Sequence, residues 1–168
     1  MNRYHPLSGL ALAGLFLVFS AVSGARAEGD AERGAYFAAI SDCGGCHTPG
    51  AMTPEPDFSR MLGGNDIGFA LPGMGIFYPP NLTSDIGTGI GGWTDDEIAR
   101  AIRTGERPDG RILSPAMPWR AYASYSDGDI ADLVAFLRTL PTVDHEVPGP
   151  FGPDETPPAP YLDFVMPQ

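Results

Sequence analysis

The sequence contains no lysine, so arginine supplies all 10 of its basic residues, against 21 acidic ones. The formal net charge at pH 7 is −11. A chain this acidic is repelled by nucleic acid and by anionic membrane surfaces, which argues against both as partners. The composition favours protein partners with basic docking surfaces, and the alternative is that the acidic charge serves only solubility.

Long apolar runs are also lacking, apart from one near the N-terminus. Residues 10–22 are mostly apolar, follow Arg3 and precede Ala25-Arg26-Ala27, which fits the small-x-small pattern of a cleavage site. The run is short for a membrane span of ~20 residues. We therefore expect residues 1–27 to be a signal peptide that directs export to the periplasm, with a retained membrane anchor as the alternative.

Cysteine is scarce, and the two that exist lie close together as Cys43-Gly44-Gly45-Cys46-His47. A disulfide at this spacing is typical of redox loops that open a helix after a strand, whereas the segment before Cys43 has a helical pattern. The pattern C-x-x-C-H is instead typical of haem attachment, in which two thiols add to the haem vinyl groups and the histidine ligates the iron. A haem-free thiol redox protein is the alternative.

Capping residues predict three helices. The first begins with Asp30 as N-cap and extends to residue 42. The second begins with a capping box at Thr94 and ends at Gly105, and the third begins at Ser126 and ends before Pro141. These helices supply a modest apolar core for a single domain, residues 28–143.

The segments between and after these helices are rich in glycine and proline. Residues 49–92 show no sustained period of 2 or 3.6, which predicts a long irregular loop rather than a set of strands. A loop of this length is unusual in a compact domain, and its length makes sense if it wraps something that is not protein. From residue 144 to 168 the composition predicts an extended acidic tail.

A second axial ligand decides whether a haem iron transfers electrons or binds small molecules. Met117 is the favoured candidate because Pro115 and Pro118 stiffen its loop, so that the thioether is held with little loss of entropy. Pro118 is also predicted to be the first residue of a short helix through Tyr125. The competing ligands are Met61, Met74 and His145.

These motifs together resemble class I cytochrome c, and in particular single domains of the cytochrome c subunits of alcohol and gluconate dehydrogenases. The resemblance rests on the cysteine motif, on residues 88–94 and on Ser114-Pro115-Ala116-Met117-Pro118-Trp119, and it covers nearly all of residues 29–143. It implies an all-α fold with three to five helices around one covalently bound haem c. It also implies that the first and last helices cross at Gly34.

The resemblance implies further residues of the haem pocket. Pro80, within Pro79-Pro80-Asn81-Leu82, resembles the proline whose carbonyl accepts the ring N–H of the ligating histidine. Trp93 resembles a tryptophan that hydrogen-bonds a haem propionate. Arg107 and Arg111 are candidates for pairing with the propionates.

The functional expectation is a monohaem c-type cytochrome that is not itself an enzyme. It would transfer single electrons in an extracytoplasmic respiratory chain, from a dehydrogenase to an oxidase or to another cytochrome. If Met117 does not ligate the iron, one coordination position stays open. The alternative is then a five-coordinate haem enzyme or sensor, with peroxidase activity or gas binding.

Overall fold

The computed structural model describes residues 1, 29–165 and 167; apart from residue 1, the predicted signal peptide, residues 1–27, falls outside them. In this part of the chain, no helix is long and apolar enough to cross a membrane. The helices are α1 (Ala31–Ile40), α2 (Cys43–His47), α3 (Asp95–Thr104), α4 (Trp119–Tyr122) and α5 (Asp127–Thr139), with a 3₁₀ turn at Phe58–Arg60. The strands are β1 (Gly68–Leu71), β2 (Gly75–Phe77) and β3 (Tyr161–Leu162).

The three predicted helices are confirmed together with their N-caps, but α1 ends at Ile40 and not at residue 42, because Asp42 takes a left-handed conformation. The Asp30 carboxylate accepts hydrogen bonds from the first backbone N–H groups of α1. Thr94 and Ser126 each form a complete capping box, which satisfies N–H groups that a helix start leaves unpaired. Gly105 ends α3 in the left-handed conformation, at φ 73°, which a residue without Cβ adopts at little cost.

Helices α1 and α5 cross at two glycines. A Cβ atom on Gly34 would lie 1.9 Å from the carbonyl oxygen of Asp132, and one on Gly29 would lie 2.2 Å from that of Ala131. The Asp132 carboxylate accepts a hydrogen bond of 2.7 Å from the Asp30 backbone N–H and a further one from Arg33. The close approach predicted at Gly34 is therefore confirmed, and charged groups at the edge of the crossing reinforce it.

The apolar core lies between the crossing helices and α3. Its buried members come from α1, the long loop before α3, α3 itself, and α5 together with its C-cap. They include Ala38, Leu62, Ile90, Ile98, Ile102, Ile130, Leu133, Val134, Leu137 and Leu140. Cys43 of α2 packs against this core.

The prediction of an all-α fold is wrong in one respect, because the long loop contains a hairpin. Strands β1 and β2 pair antiparallel with Phe69 opposite Phe77, and β3 pairs parallel with β1, giving the order β2-β1-β3. The strands have four, three and two residues, too few to show a period in the sequence. Pro72-Gly73 lies in the turn between β1 and β2, and Gly73 has the positive φ of 73° that such a turn uses.

The short helix after Met117 also differs from its prediction. Pro118 is the N-cap, with a non-helical ψ of 45°, and α4 ends at Tyr122. Beyond it, the N–H groups of Ser124 and Tyr125 bond to the carbonyl three residues earlier. The backbone therefore continues in tighter turns, which explains why the pattern suggested a helix through Tyr125.

Candidate functional site

The cysteine motif forms a helix of its own, set at an angle to α1 by Asp42. Asp42 has a left-handed φ of 53°, which breaks the chain direction between α1 and α2. Its carboxylate lies against Gly45, where a Cβ atom would come within 2.4 Å of a carboxylate oxygen. Glycine at this position lets the turn close, and Cys43, Cys46 and His47 line the same cavity as a result.

His47 is held by the long loop. It is 6% exposed, and its Nδ1 lies 2.7 Å from the backbone oxygen of Pro80, as the resemblance implied. A ring N–H donated from Nδ1 leaves the lone pair on Nε2, the form that ligates a metal. Burial lowers the pKa of His47, which favours the same neutral form, although the Pro80 bond opposes that shift.

Asn65 and Thr48 fasten the motif to the loop, and the sequence reading missed both. The Asn65 amide donates to the Cys46 carbonyl at 3.1 Å, and its backbone N–H donates to the Pro79 carbonyl at 3.0 Å. The Thr48 hydroxyl accepts the backbone N–H of Leu62 at 3.2 Å. Asn65 and Thr48 are each 1% exposed, so these bonds form in a dry environment and fix the motif relative to Pro79 and Pro80.

A cavity of about 540 Å³ brings most of the predicted site together. Its volume lies within the range of small-molecule and cofactor sites, about 300–1,000 Å³. Met61 and Met74 are 43% and 50% exposed and do not line it, and neither does His145. The predicted residues on its walls are Cys43, Cys46, His47, Pro80, Arg107, Arg111 and Met117.

Trp93 lines a smaller cavity of about 110 Å³, which shares Cys43, His47 and Met117 with the larger one. The Arg107 guanidinium lies 5.0 Å from the centre of the Trp93 ring, a cation–π contact. Arg138 of α5 donates to the backbone oxygen of Trp93 and, at 2.9 Å, to the Asp95 carboxylate. Trp93 is therefore fixed by two arginines, of which only Arg107 was a predicted site residue.

Two guanidinium groups give the larger cavity a positive wall. Arg107 and Arg111 both line it, and Arg107 also pairs with Asp109 at 3.3 Å. Burial lowers the pKa of Arg111, and the positive charge of Arg107 lowers it further. An anionic group placed in the cavity would relieve that repulsion, which is the environment that carboxylates of a cofactor need.

The structure forms no disulfide between Cys43 and Cys46. Burial raises the pKa of Cys43 to about 11 and also raises that of Cys46. Both groups are therefore protonated at neutral pH. They differ in this from redox thiol sites, which depend on a lowered pKa.

Sequence reasoning missed the aromatic and C-terminal walls of the cavity. Phe69, Phe77 and Tyr78 reach it from the hairpin, and residues 146–150 reach it from the predicted tail. Tyr122 lines it from α4 and donates to the Ser41 carbonyl at 3.1 Å. The Pro72-Gly73 turn signal between two aromatic positions pointed to the hairpin, whereas no local signal pointed to the tail.

Comparison with known proteins decides the family. The family model described as "Cytochrome C oxidase, cbb3-type, subunit III" matches residues 29–137. The chain belongs to this cytochrome c family. Membership implies covalently bound haem c and a role in electron transfer.

The relatives of this cytochrome c domain are larger proteins. The fructose dehydrogenase cytochrome subunit of Gluconobacter japonicus is 32% identical over 90% of this chain and 32% of its own length. The alcohol dehydrogenase (quinone) cytochrome c subunit of Gluconobacter oxydans (strain 621H) is 39% identical over 63% of this chain and 20% of its own length. A diheme cytochrome c-type protein of Cereibacter sphaeroides is 34% identical over 73% of this chain and 42% of its own length. The chain thus spans less than half the length of each.

The residues that line the cavity fit a haem of the c type. Cys43 and Cys46 supply two protonated thiols for thioether bonds, and His47 offers Nε2 from the same short helix. Met117 offers a soft sulfur from another wall of the same cavity. Arg107 and Arg111 supply the positive charge that two propionates require.

Proposed function

We propose that this chain carries one haem c and relays single electrons between redox proteins. Cys43 and Cys46 hold the haem covalently, and His47 and Met117 are its axial ligands. The observation that carries the proposal is the convergence of these four side chains on one cavity of about 540 Å³. One haem per chain follows from the two cysteines, which make a single C-x-x-C-H motif.

The protein's contribution is to bind the haem, to orient it and to shield it from water. The haem supplies a one-electron couple whose potential depends on its ligands, on nearby hydrogen bonds and on burial. The Pro80 carbonyl fixes the ring orientation of His47 and strengthens its electron donation. Met117 would supply the second protein ligand of the iron, so that the site would pass electrons and bind no small molecule. Trp93, Arg107 and Arg111 hold the propionate end.

The names of the relatives support a place beside a dehydrogenase. Relatives named as cytochrome subunits of fructose and alcohol dehydrogenases suggest that the chain accepts electrons from a dehydrogenase and passes them to an oxidase or another cytochrome. The chain acts in the periplasm after removal of residues 1–27 and is not itself the dehydrogenase. Its acidic surface favours a basic docking face on the partner, so electron transfer slows as salt rises.

The decisive experiment is expression in a periplasm that contains the haem attachment machinery. We expect one haem per chain from the pyridine haemochrome spectrum and from the mass of the intact protein. Both oxidation states should be low-spin, and the reduced protein should bind no carbon monoxide. A Cys43→Ala, Cys46→Ala double variant is the matched control and should retain no covalent haem.

Three outcomes contradict parts of this proposal. Wild-type protein without haem would favour the thiol redox alternative. Ready binding of carbon monoxide would favour a five-coordinate enzyme or sensor. Electron transfer rates that do not change with salt concentration would contradict the proposed basic docking face on the partner.

A further inference from the structure

The chain after α5 returns to the haem cavity. We call residues 145–162 the C-terminal strap; it lies beyond the residues that the family model matches. Its first part, residues 146–150, lines the cavity of about 540 Å³ together with Phe77 and Tyr78 of the hairpin region. The predicted extended tail is therefore extended in conformation but packed against the site.

His145 anchors the start of the strap. Its Nδ1 lies 2.8 Å from the Gly63 carbonyl oxygen, and its Nε2 lies 3.1 Å from the Asp66 carboxylate. Its backbone N–H donates to the Thr88 hydroxyl at 3.1 Å. Sequence reasoning considered His145 only as a competing ligand, whereas its side chain is 14% exposed and is held by these contacts.

The anchor stands next to the loop that orients His47. Gly63 precedes Gly64, whose backbone N–H donates to the His47 carbonyl at 2.8 Å. A Cβ atom on Gly64 would come within 2.5 Å of a methyl group of Val147, so the strap packs directly on that glycine. The start of the strap contacts Gly63 and Gly64, and the backbone of His47 is bonded to Gly64.

A second set of contacts holds the far part of the strap to the hairpin. The backbone groups of Phe151 and Ile76 exchange two hydrogen bonds of 2.9 and 3.0 Å. The Tyr78 hydroxyl donates to the Ala159 carbonyl at 2.7 Å. Beyond this, β3 pairs with β1. The strap is therefore fixed at both ends, with residues 146–150 spanning the cavity wall between them.

We propose that the C-terminal strap is a functional wall of the haem site, which keeps water from the haem and thereby raises its reduction potential, and that His145 is the positioning residue for this wall. The inference rests on the haem attachment proposed above. Oxidised haem carries one more positive charge than reduced haem, so water stabilises the oxidised form. Opening the strap would admit water and lower the potential.

The test uses the full-length holoprotein with His145→Ala as the main variant. Loss of about one hydrogen bond raises the population of the open strap about three- to tenfold. We expect the Phe151 and Ile76 amide hydrogens to exchange faster by that factor, and the reduction potential to fall in a redox titration. His145→Gln retains a donor toward Gly63 and should recover part of both effects.

Two further variants complete the design. Tyr78→Phe removes only the hydroxyl bond to Ala159 and should shift both readouts in the same direction, which preserves the test if His145→Ala does not fold. Asp154→Asn changes an exposed strap residue that does not line the cavity and should leave both readouts at wild-type values.

The outcomes separate this inference from the proposed function. Faster amide exchange with an unchanged potential would reduce the strap to a structural element and overturn the inference. Unchanged exchange in both His145→Ala and Tyr78→Phe would overturn the anchoring role. Wild-type protein without covalent haem would overturn the proposed function and this inference with it, whereas normal haem content with unchanged potentials overturns the inference alone.

Discussion

The two walls of the cavity that carry the proposed iron ligands are built in different ways. His47 is 6% exposed, and the bond to Pro80 reaches across 33 positions of sequence. Met117 is partly exposed, and its loop is closed by local bonds, from the Met117 N–H to the Ser114 carbonyl at 3.1 Å and from the Ala116 N–H to the Ser114 hydroxyl at 3.2 Å. Its neighbours Pro115, Ala116 and Pro118 are exposed.

This difference determines which of the two walls opens at the lower free-energy cost. Long-range hydrogen bonds in a dry interior break only when several segments separate, whereas a surface loop opens with little loss of packing. Prolines stiffen the Met117 loop, but they do not tie it to the rest of the protein. We therefore expect the His47 wall to contribute mainly to stability and the Met117 wall to control access to the iron.

The largest effect is expected for Met117→Ala. Removal of the thioether leaves an open axial position, so the reduced protein should change from no detectable carbon monoxide binding to one molecule per haem, and the reduction potential should fall. Visible spectroscopy under carbon monoxide measures the first effect. Met74→Ala is the matched control because Met74 is exposed and does not line the cavity. Carbon monoxide binding by Met74→Ala alone would reassign the ligand.

Asn81→Ala tests the His47 wall. Asn81 is 1% exposed, and its amide donates to the Val143 carbonyl at 2.6 Å and to the Thr88 hydroxyl at 3.0 Å. Its loss leaves buried groups unpaired, so the free energy of unfolding should fall by about 2–3 kcal/mol in urea denaturation. Thr53→Ala, at an exposed hydroxyl, is the control. A loss no larger than that of the control would show that this wall is not held by its buried bonds.

Ser114→Ala tests the Met117 wall with a smaller change. The variant removes the hydroxyl that accepts the Ala116 N–H, which should lower the free energy of unfolding by about 1 kcal/mol or less. Imidazole should nevertheless bind the oxidised protein about threefold faster, because the loop releases Met117 more often. Stopped-flow mixing measures this rate. If Asn81→Ala accelerated imidazole binding more than Ser114→Ala, the comparison of the two walls would be reversed.

The smallest expected effect is on the stability of the fold at low pH. It involves the helical scaffold that both walls share. The hydrogen bonds from Ser126 chiefly lower the pKa of Asp129, and Arg33 adds to the shift. Because the folded pKa lies below the unfolded value of about 3.9, this stabilisation is present above that pH and is lost as the pH falls through the folded pKa. Ser126→Ala should flatten the acid limb of stability measured by thermal unfolding. An unchanged slope would contradict the role of this cap.

Local signals in the sequence predicted much of this structure. Asp30, Thr94 and Ser126 predicted the starts of the three long helices, because a cap depends on residues within four positions. The C-x-x-C-H spacing predicted a haem motif for the same reason. The hairpin was missed because β1 and β2 are short, and the β3 pairing was missed because it joins residues more than 90 positions apart.

From the sequence we could predict the haem motif, the starts of the three long helices and the candidate ligand in the Pro115–Pro118 loop, since each depends on neighbouring residues. The fold was needed to show that Met117 rather than Met61 or Met74 lines the cavity of His47, and that residues 146–150 complete its wall. Those facts depend on contacts such as His145 with Gly63, whose partners lie 82 positions apart. No local pattern encodes such a contact, because it forms only when the core has brought the two segments together.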